Sequence, residues 1–252
     1  EPFKNVYYTG IVRDKQGRKM SKSLGNSPDP ITWMEQFGAD GVRVGMLLTS
    51  PAGNDLPFDE KLCEQGRNFA NKIWNAFRLT QSWEVNSDQP QPAASATSIL
   101  WMRSRIDEVL TDLEGQFAEF RLSEALMASY RLVWDDFCSW YLELIKPAYG
   151  QPMDPITYDA TVVFFEDILK ILHPFMPFQT EEIWHWIRER KSPEEALCIA
   201  PWPDAPGRDD SLLAQFEPFK QVVSEIRTMR KENQIPQKES LALHVQRGDG
   251  YP

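Results

Sequence analysis

The sequence is poor in the residues that metal centres and disulfide frameworks need. Its 252 residues include only three cysteines and three histidines. Cys63, Cys138 and Cys198 are too far apart to form a paired metal-ligand motif or a disulfide framework. We therefore expect no metal site in this chain and buried structural cysteines. A cysteine–histidine nucleophile pair that forms only in the fold stays open.

Long apolar runs are also absent. No segment approaches the roughly 20 apolar residues that a transmembrane helix requires, and no N-terminal stretch has the charged-then-apolar pattern of a secretion signal. We expect a cytoplasmic protein without a membrane partner. The first residue is Glu1, and the opening EPFKNVYYTGIVRD has the pattern of a strand already under way. This pattern indicates a piece of a longer protein.

Positive charge is in short supply. The chain has 27 lysines and arginines against 37 acidic residues, so its net charge is −10. Taken alone, this balance disfavours a nucleic-acid partner, because phosphate contacts come from lysine and arginine. The basic residues nevertheless cluster in the segments 1–23, 61–78 and 218–238. These local patches leave anion binding open.

Helical periodicity is what the sequence has in abundance. Apolar residues recur at three- and four-residue steps from Asp59 to about Trp83, with polar side chains on the opposite side. We predict a mainly α fold, an antiparallel helix bundle, with a small mixed α/β piece at residues 1–58. The further predicted helices cover about 98–120, 122–145, 154–174, 178–190 and 211–233. The expected core includes Phe137, Trp140, Phe164, Ile168, Ile171 and Trp184.

Turn and breaker residues divide the rest of the chain. The Lys-Gln-Gly turn at 15–17 predicts a hairpin, and the Asp29-Pro30 pair with Gly38 predicts where a helix begins and ends. The segment 84–98 is rich in proline, serine, glutamine and alanine, so we predict an irregular linker there. Short strands are predicted at Leu197–Ala200 and at 240–246.

The stretch GRKMSKSLGN, residues 17–26, is the strongest candidate for chemistry. Two lysines beside glycines can clamp a phosphate group, because an ammonium on a flexible stem follows moving charge and glycine lets the backbone approach. On spacing alone, a solvated surface turn is the competing interpretation.

The amino-acid sequence of this loop also resembles the signature of a known family. KMSKSLGN, from Lys19 to Asn26, matches the second signature of the class I aminoacyl-tRNA synthetases, the lysine loop that closes over ATP. With GADGVRVGML after it, the chain resembles the branch that handles valine, isoleucine and leucine. Gly41 and Gly45 depart from the family, which more often has bulkier residues there, so local packing around them is in doubt.

Downstream strings narrow the resemblance to the valyl-tRNA synthetases. The segment 53–78, GNDLPFDEKLCEQGRNFANKIWNAFR, is similar to that family. WYLELIKP, LHPFMPFQTEEIW and APWP are similar to its helical anticodon-binding domain. An isoleucyl-tRNA synthetase fragment, which shares the lysine loop, and a stand-alone helical interaction module are the alternatives.

The resemblance implies an ATP-dependent attachment of valine to its tRNA. It implies that Lys22 is the principal pyrophosphate contact, that Lys19 lies beside it, that Ser21 donates its hydroxyl, and that Met20 and Leu24 anchor the loop by apolar packing. ATP is then a substrate, with Mg²⁺ in the intact enzyme. No histidine fits the His-x-Gly-His first signature, so we expect the fragment to be inactive alone.

The resemblance also implies a domain division and a tRNA partner. Residues 1–58 would be the last piece of the catalytic domain, 59–233 the anticodon-binding domain and 234–252 the start of a C-terminal extension. The intact enzyme would be a monomer that takes ATP and valine.

The helix at 59–83 is the predicted tRNA contact, because it combines cations, amides and aromatic rings at close spacing. Its polar face carries Arg67, Asn71, Asn75 and Arg78, and Lys72 lies at the edge of that face. These five are the predicted tRNA-binding residues. We expect Phe69, Ile73 and Phe77 to face the core, with Trp74 undecided between core and stacking. A merely solvated face, or the basic stretch 227–231 on the last helix, is the alternative.

Overall fold

Helices dominate the structure, a computed structural model that describes residues 2–49, 53–205, 207–236, 239–242 and 244. The mainly α prediction is confirmed. In chain order the elements are β1 (Val12–Arg13), α1 (Pro30–Phe37), α2 (Ala39–Leu47), β2 (Leu56–Pro57), α3 (Glu60–Gln81), α4 (Ala93–Ala118), α5 (Leu122–Arg131), a π-helical segment (Leu132–Tyr141), α6 (Leu142–Ile145), α7 (Pro155–Leu172), α8 (Pro177–Ile187) and α9 (Asp210–Glu232).

The chain divides into two compact units, Glu1–Asp209 and Asp210–Pro252. In the first unit, α3 to α8 pack around a common core. Five of the six predicted core residues are buried: Phe137, Phe164, Ile168, Ile171 and Trp184. Trp140 is only half-buried.

The N-terminal piece is held by a small parallel sheet. β1 pairs with β2 in the register Val12 to Leu56. The predicted hairpin is confirmed as a single antiparallel bridge between Arg13 and Lys19. The side chain of Asp55 accepts a hydrogen bond from the backbone N–H of Ile11 at 3.0 Å and also contacts the Arg13 guanidinium. The sheet therefore fixes the base of the loop that follows the hairpin.

The predicted limits of α1 are confirmed. Asp29 is its N-cap and accepts a hydrogen bond from the backbone N–H of Ile31 at 3.1 Å, and Pro30 is the first helical residue. Gly38 ends the helix with a φ of 77°, a left-handed conformation that glycine adopts without strain.

Glycines let α2 and α3 pack backbone against backbone. A Cβ atom on Gly45 would lie 2.6 Å from the backbone nitrogen of Cys63, and one on Gly66 would lie 2.3 Å from the carbonyl oxygen of Gly41. Neither distance is compatible with a side chain. The departures from the family at Gly41 and Gly45 are thus matched by close packing against α3.

One of the shorter predictions is right only in part, and another is wrong. The linker is irregular over residues 84–92, but α4 begins at Ala93 instead of near Ser98, because alanine favours helix strongly. Residues Leu197–Ile199 form a 3₁₀ turn instead of a strand. The backbone N–H of Leu197 donates to the carboxylate of Glu181 at 2.9 Å.

Two further predictions concern the C-terminal region. The strand predicted at 240–246 lies partly outside the described residues, and 240–242 and 244 are not in a strand. The last helix is found as α9, close to its predicted limits.

Candidate phosphate loop and nucleic-acid interface

The lysine loop is a short 3₁₀ turn over Lys22–Leu24 that is closed at both ends. Ser21 is its N-cap, and the Ser21 hydroxyl oxygen accepts the backbone N–H of Leu24 at 3.3 Å. Gly25 ends the turn in the left-handed region, with a φ of 65°. The glycine is needed because this conformation strains most other residues.

The side chain of Asn26 holds the loop to the hairpin. Its amide nitrogen donates to the Asp14 carboxylate at 2.9 Å and to the carbonyl of Lys19 at 3.2 Å. Its amide oxygen accepts the backbone N–H of Ser21 at 2.9 Å. The hydrogen bond from Asn26, followed by that from Arg18, holds the pKa of Asp14 well below its usual range.

The loop cations point into solvent. Lys22 and Lys19 are exposed, and neither ammonium group forms an ion pair within the part of the chain that the structure describes. Met20 packs against the cluster that contains Phe37 and Phe58, as expected for an apolar anchor. Leu24 is 66% exposed, so its predicted anchoring role is wrong. Hydrogen bonds, instead of apolar contacts, hold that end of the turn.

The polar face of α3 is present as predicted. Asn71, Asn75 and Arg78 are exposed, and Arg67 and Lys72 are half-buried along the same helix. The inward side is confirmed, since Phe69, Ile73 and Phe77 are buried. Asp59 is the N-cap of the helix, and its carboxylate accepts the backbone N–H of Lys61 at 3.1 Å. This face is therefore presented by a long helix with a fixed start.

Two cations of this face are positioned by aromatic rings. The guanidinium of Arg67 lies 5.7 Å from the ring centre of Phe37 and 3.7 Å from the carboxylate of Glu64. The Lys72 ammonium lies 5.3 Å from the ring centre of Trp134, a residue of the π-helical segment. Cation–π contacts of this kind orient long side chains at modest strength.

Trp74 and the last helix are weaker candidates for the nucleic-acid interface. Trp74 is half-buried, and its ring centre lies 5.6 Å from that of Phe77. On α9, the guanidinium of Arg230 donates to the carbonyl oxygens of Pro236 and Glu239, at 2.8 Å each. Arg230 is thus engaged in closing the C-terminal end of its own helix.

Sequence reasoning missed two residues of α2 that anchor it to the start of α8. The Asp40 carboxylate accepts the backbone N–H groups of Gln179 at 2.7 Å and Phe178 at 3.3 Å, at the start of α8. Arg43 donates to the carbonyl oxygens of Phe175 and Pro174. Burial raises the pKa of Asp40, although the two N–H groups oppose this shift. The three-residue spacing in GADGVR, which places both side chains on one helix face, was the available signal.

The cysteines behave differently from one another. Cys63 and Cys138 are buried as expected, and burial raises the pKa of their thiols to about 11 and about 12. Cys198 is exposed, so the expectation fails there. His173 contacts the hydroxyl of Thr180 at 2.8 Å.

The described residues contain no helix both long and apolar enough to cross a bilayer. The same residues contain no group of three or more histidine, cysteine or acidic side chains that could hold a metal ion.

Two family models match the chain. Residues 100–246 match the model described as "Anticodon-binding domain of tRNA ligase". Residues 1–59 match the model described as "tRNA synthetases class I (I, L, M and V)". The second match covers the lysine loop.

A curated relative matches almost the whole chain. The valine–tRNA ligase of Parabacteroides distasonis is 54% identical over 244 residues, which are 97% of this chain and 28% of that protein. The chain therefore spans little more than a quarter of the length of the curated relative it matches.

Solved structures share the fold at low identity. The Agrobacterium radiobacter K84 agnB2 LeuRS, in a ternary complex with tRNA and LeuAMS, matches with a TM-score of 0.59 and 22% identity, over 84% of this chain and 25% of that one. The Mycobacterium tuberculosis methionyl-tRNA synthetase in complex with methionyl-adenylate matches with a TM-score of 0.54 and 18% identity, over 80% and 42% of the two chains. These likenesses concern the fold alone.

Proposed function

This chain belongs to the family of anticodon-binding domains of tRNA ligases, and we propose that it is part of a valine–tRNA ligase, an enzyme that attaches valine to its tRNA using ATP. The identity of 54% to a valine–tRNA ligase over 97% of this chain supports the valine assignment. The chain would bind the anticodon region of the tRNA and supply the loop that binds the ATP phosphates. It would not catalyse the reaction alone.

The lysine loop would act in the first step, the formation of the aminoacyl adenylate. A carboxylate oxygen of valine attacks the α-phosphorus of ATP, and the bond from that phosphorus to the pyrophosphate oxygen breaks. Negative charge then builds up on the pyrophosphate, so catalysis consists mainly of stabilising that charge. The ammonium groups of Lys22 and Lys19 are exposed and form no ion pair with the described residues. They suit this role because no carboxylate of that part of the chain has to be displaced first.

Ser21 would donate its hydroxyl to a phosphate oxygen. Its oxygen already accepts the N–H of Leu24, which leaves the hydroxyl hydrogen available to a new acceptor. Ser23 lies 3.2 Å away, oxygen to oxygen, and can compete for that hydrogen. No step proposed for this chain depends on its residues holding Mg²⁺, which would accompany ATP in the intact enzyme.

The polar face of α3 would bind the anticodon region. Arg67 and Arg78 would contact phosphates, while the amides of Asn71 and Asn75 reach base edges. Lys72 borders this face. We retain the proposed division into 1–58, 59–233 and 234–252, a monomeric state and a cytoplasmic location, all of which follow from the family resemblance.

The observation that carries the proposal is the polar face itself, four side chains aligned along one helix outside the core. The test compares binding of the chain to a tRNA with a valine anticodon and to one with an isoleucine anticodon, over a range of salt concentrations. We expect tighter binding of the valine tRNA and an affinity that falls as salt rises. Equal binding of both tRNAs at every salt concentration would contradict it, and a preference for the isoleucine tRNA would favour the related enzyme.

A further inference from the structure

A run of aromatic rings connects the core to the edge of the α3 polar face. The ring of Phe69, which is buried, lies 4.5 Å from that of Tyr130. Tyr130 in turn stacks on Trp134 with a separation of 5.5 Å and an angle of 7° between planes. Trp134 is half-buried, so the run ends at a ring that solvent can reach.

The backbone that carries Trp134 is unusual. Trp134 lies in the first turn of the ten-residue π-helical segment, and its carbonyl accepts the hydroxyl of Ser139, five residues on, at 2.7 Å. π-Helical segments are rare and occur frequently at functional sites. The segment is anchored from behind, because Arg105 donates to the buried carboxylate of Asp136 at 2.8 Å. Trp134 is thus presented by a backbone that is held in place.

Side chains of α3 contact the last turn of α5 and the π-helical segment that follows it. Gln65 forms a side-chain hydrogen bond with Tyr130, and the Lys72 ammonium lies over the Trp134 ring. On a helical projection, Lys72 lies about 100° from Asn71, at the border between the polar face and the core side. Trp134 is therefore the aromatic neighbour of that border.

Other tryptophans have surroundings that disfavour RNA. Trp186 is exposed, but its indole N–H donates to the carboxylate of Glu182 at 2.8 Å. A cation lies over Trp184 as well, the Arg190 guanidinium at 3.8 Å, but Trp184 is buried. Within the described ranges, Trp134 combines a reachable ring, a lysine over that ring and a position beside the polar face.

We propose that Trp134 is the face on which one unstacked base of the bound RNA stacks, with the base taking the place of the Lys72 ammonium. Lys72 then turns to the RNA backbone. The exchange is favourable because a base stacked on an aromatic ring is a stronger contact than an exposed cation–π pair. This inference rests on the proposed function, and it supplies an aromatic face beside the polar face of α3.

The test uses the 252-residue chain and an anticodon stem-loop RNA from a valine tRNA, together with matched RNAs that carry an abasic site at one anticodon position each. Binding is measured for the unmodified chain and for Trp134→Leu, which keeps an apolar side chain without an aromatic ring. Trp134→Phe keeps a ring, and Trp186→Ala is the control for an exposed tryptophan elsewhere. Thermal unfolding midpoints show which variants remain folded.

We expect Trp134→Leu to bind the intact stem-loop about 5- to 100-fold more weakly, with an unchanged salt slope because no cation is lost. Trp134→Phe should lose much less, and Trp186→Ala should match the unmodified chain. At one anticodon position, the abasic site should weaken binding to the unmodified chain while having little further effect on Trp134→Leu.

Abasic effects of equal size in the unmodified chain and in both Trp134 variants would overturn the inference while leaving the proposed function intact. If Trp134→Leu fails to fold, the same comparison with Trp134→Phe decides, since its abasic effect should be reduced at one position only. If the unmodified chain bound an isoleucine stem-loop as tightly as the valine stem-loop, that result would instead contradict the proposed function.

Discussion

The lysine loop and the polar face of α3 both present cations, but they hold them in opposite ways. In the loop, the backbone is fixed by Ser21, Gly25 and Asn26, while the ammonium groups of Lys19 and Lys22 extend into solvent. On α3, the side chains themselves are held, since Arg67 and Lys72 each lie against an aromatic ring.

This difference matches two kinds of task. A group that follows charge from substrate to leaving group must be able to move, whereas a group that reads a fixed polymer benefits from being oriented before binding. The loop is therefore suited to catalysis and the helix face to recognition. The predictions below test that division, from the largest expected effect to the smallest.

Replacing Lys22 should have the largest effect. In the intact ligase, Lys22→Ala removes a charge-assisted contact that strengthens as pyrophosphate leaves. The activation free energy of adenylate formation should therefore rise by about 2–4 kcal/mol. Valine binding should change far less. Pyrophosphate exchange measures the first quantity and equilibrium binding the second.

Lys15→Ala is the matched control, because Lys15 is an exposed lysine of the same hairpin whose ammonium lies 3.4 Å from the Asp59 carboxylate. A surface pair of this kind contributes little, so exchange should be nearly unchanged. Normal exchange in Lys22→Ala would remove the catalytic role of the loop.

Forcing α2 and α3 apart should have the second-largest effect, a loss of folding stability. Gly45→Ala places a Cβ atom 2.6 Å from the backbone of Cys63, and overpacking of this kind costs about 1–3 kcal/mol. Chemical denaturation measures the loss. The control is Gly115→Ala on α4, where a new Cβ meets nothing within 4 Å, so that change should be neutral or stabilising by about 0.5–1 kcal/mol. Equal stability of both variants would contradict the close packing.

Neutralising two arginines of the α3 polar face tests the other half of the comparison. The double variant Arg67→Gln and Arg78→Gln should weaken tRNA binding by about tenfold and reduce the salt slope by about two contacts. Filter binding at several salt concentrations measures both. Arg227→Gln with Arg230→Gln on α9 is the control pair. If that pair shows the larger change in slope, the tRNA site belongs on the last helix.

The smallest effect concerns the loop scaffold. Asn26→Ala removes the hydrogen bond that contributes most to the low pKa of Asp14, so this pKa should rise toward its ordinary value. A carboxyl group with a lowered folded-state pKa stabilises the fold above its ordinary pKa, and that contribution is lost as pH falls through the folded-state value. The variant should therefore lose less stability below the ordinary aspartate pKa. Carboxyl NMR titration measures the pKa of Asp14. The control variant Asn68→Ala should leave that pKa unchanged.

Local sequence signals were enough to predict much of the fold. Asp29 with Pro30, and Asp59 before its apolar repeat, are helix starts that depend only on neighbouring residues, and both are found where predicted. The inward side of α3 followed from helical periodicity alone. The polar face of α3, and with it most of the candidate interface, was predictable for the same reason.

Features that depend on distant partners were not predictable. The parallel pairing of β1 with β2 joins residues more than 40 positions apart. The contact of Lys72 with Trp134 depends on a π-helical segment, which the spacing of apolar residues does not predict. The early start of α4 shows a different failure, in which composition typical of a linker concealed good helix formers.

The hydrogen bonds from α2 to the α7–α8 connection determine how this joint resists sliding. The Asp40 carboxylate meets N–H groups at the positive end of α8, and Arg43 meets the carbonyls of Pro174 and Phe175 just before it. Because the two contacts have opposite polarity, sliding α2 along the corner would bring each charge toward groups of its own sign. The joint therefore resists shear as well as separation.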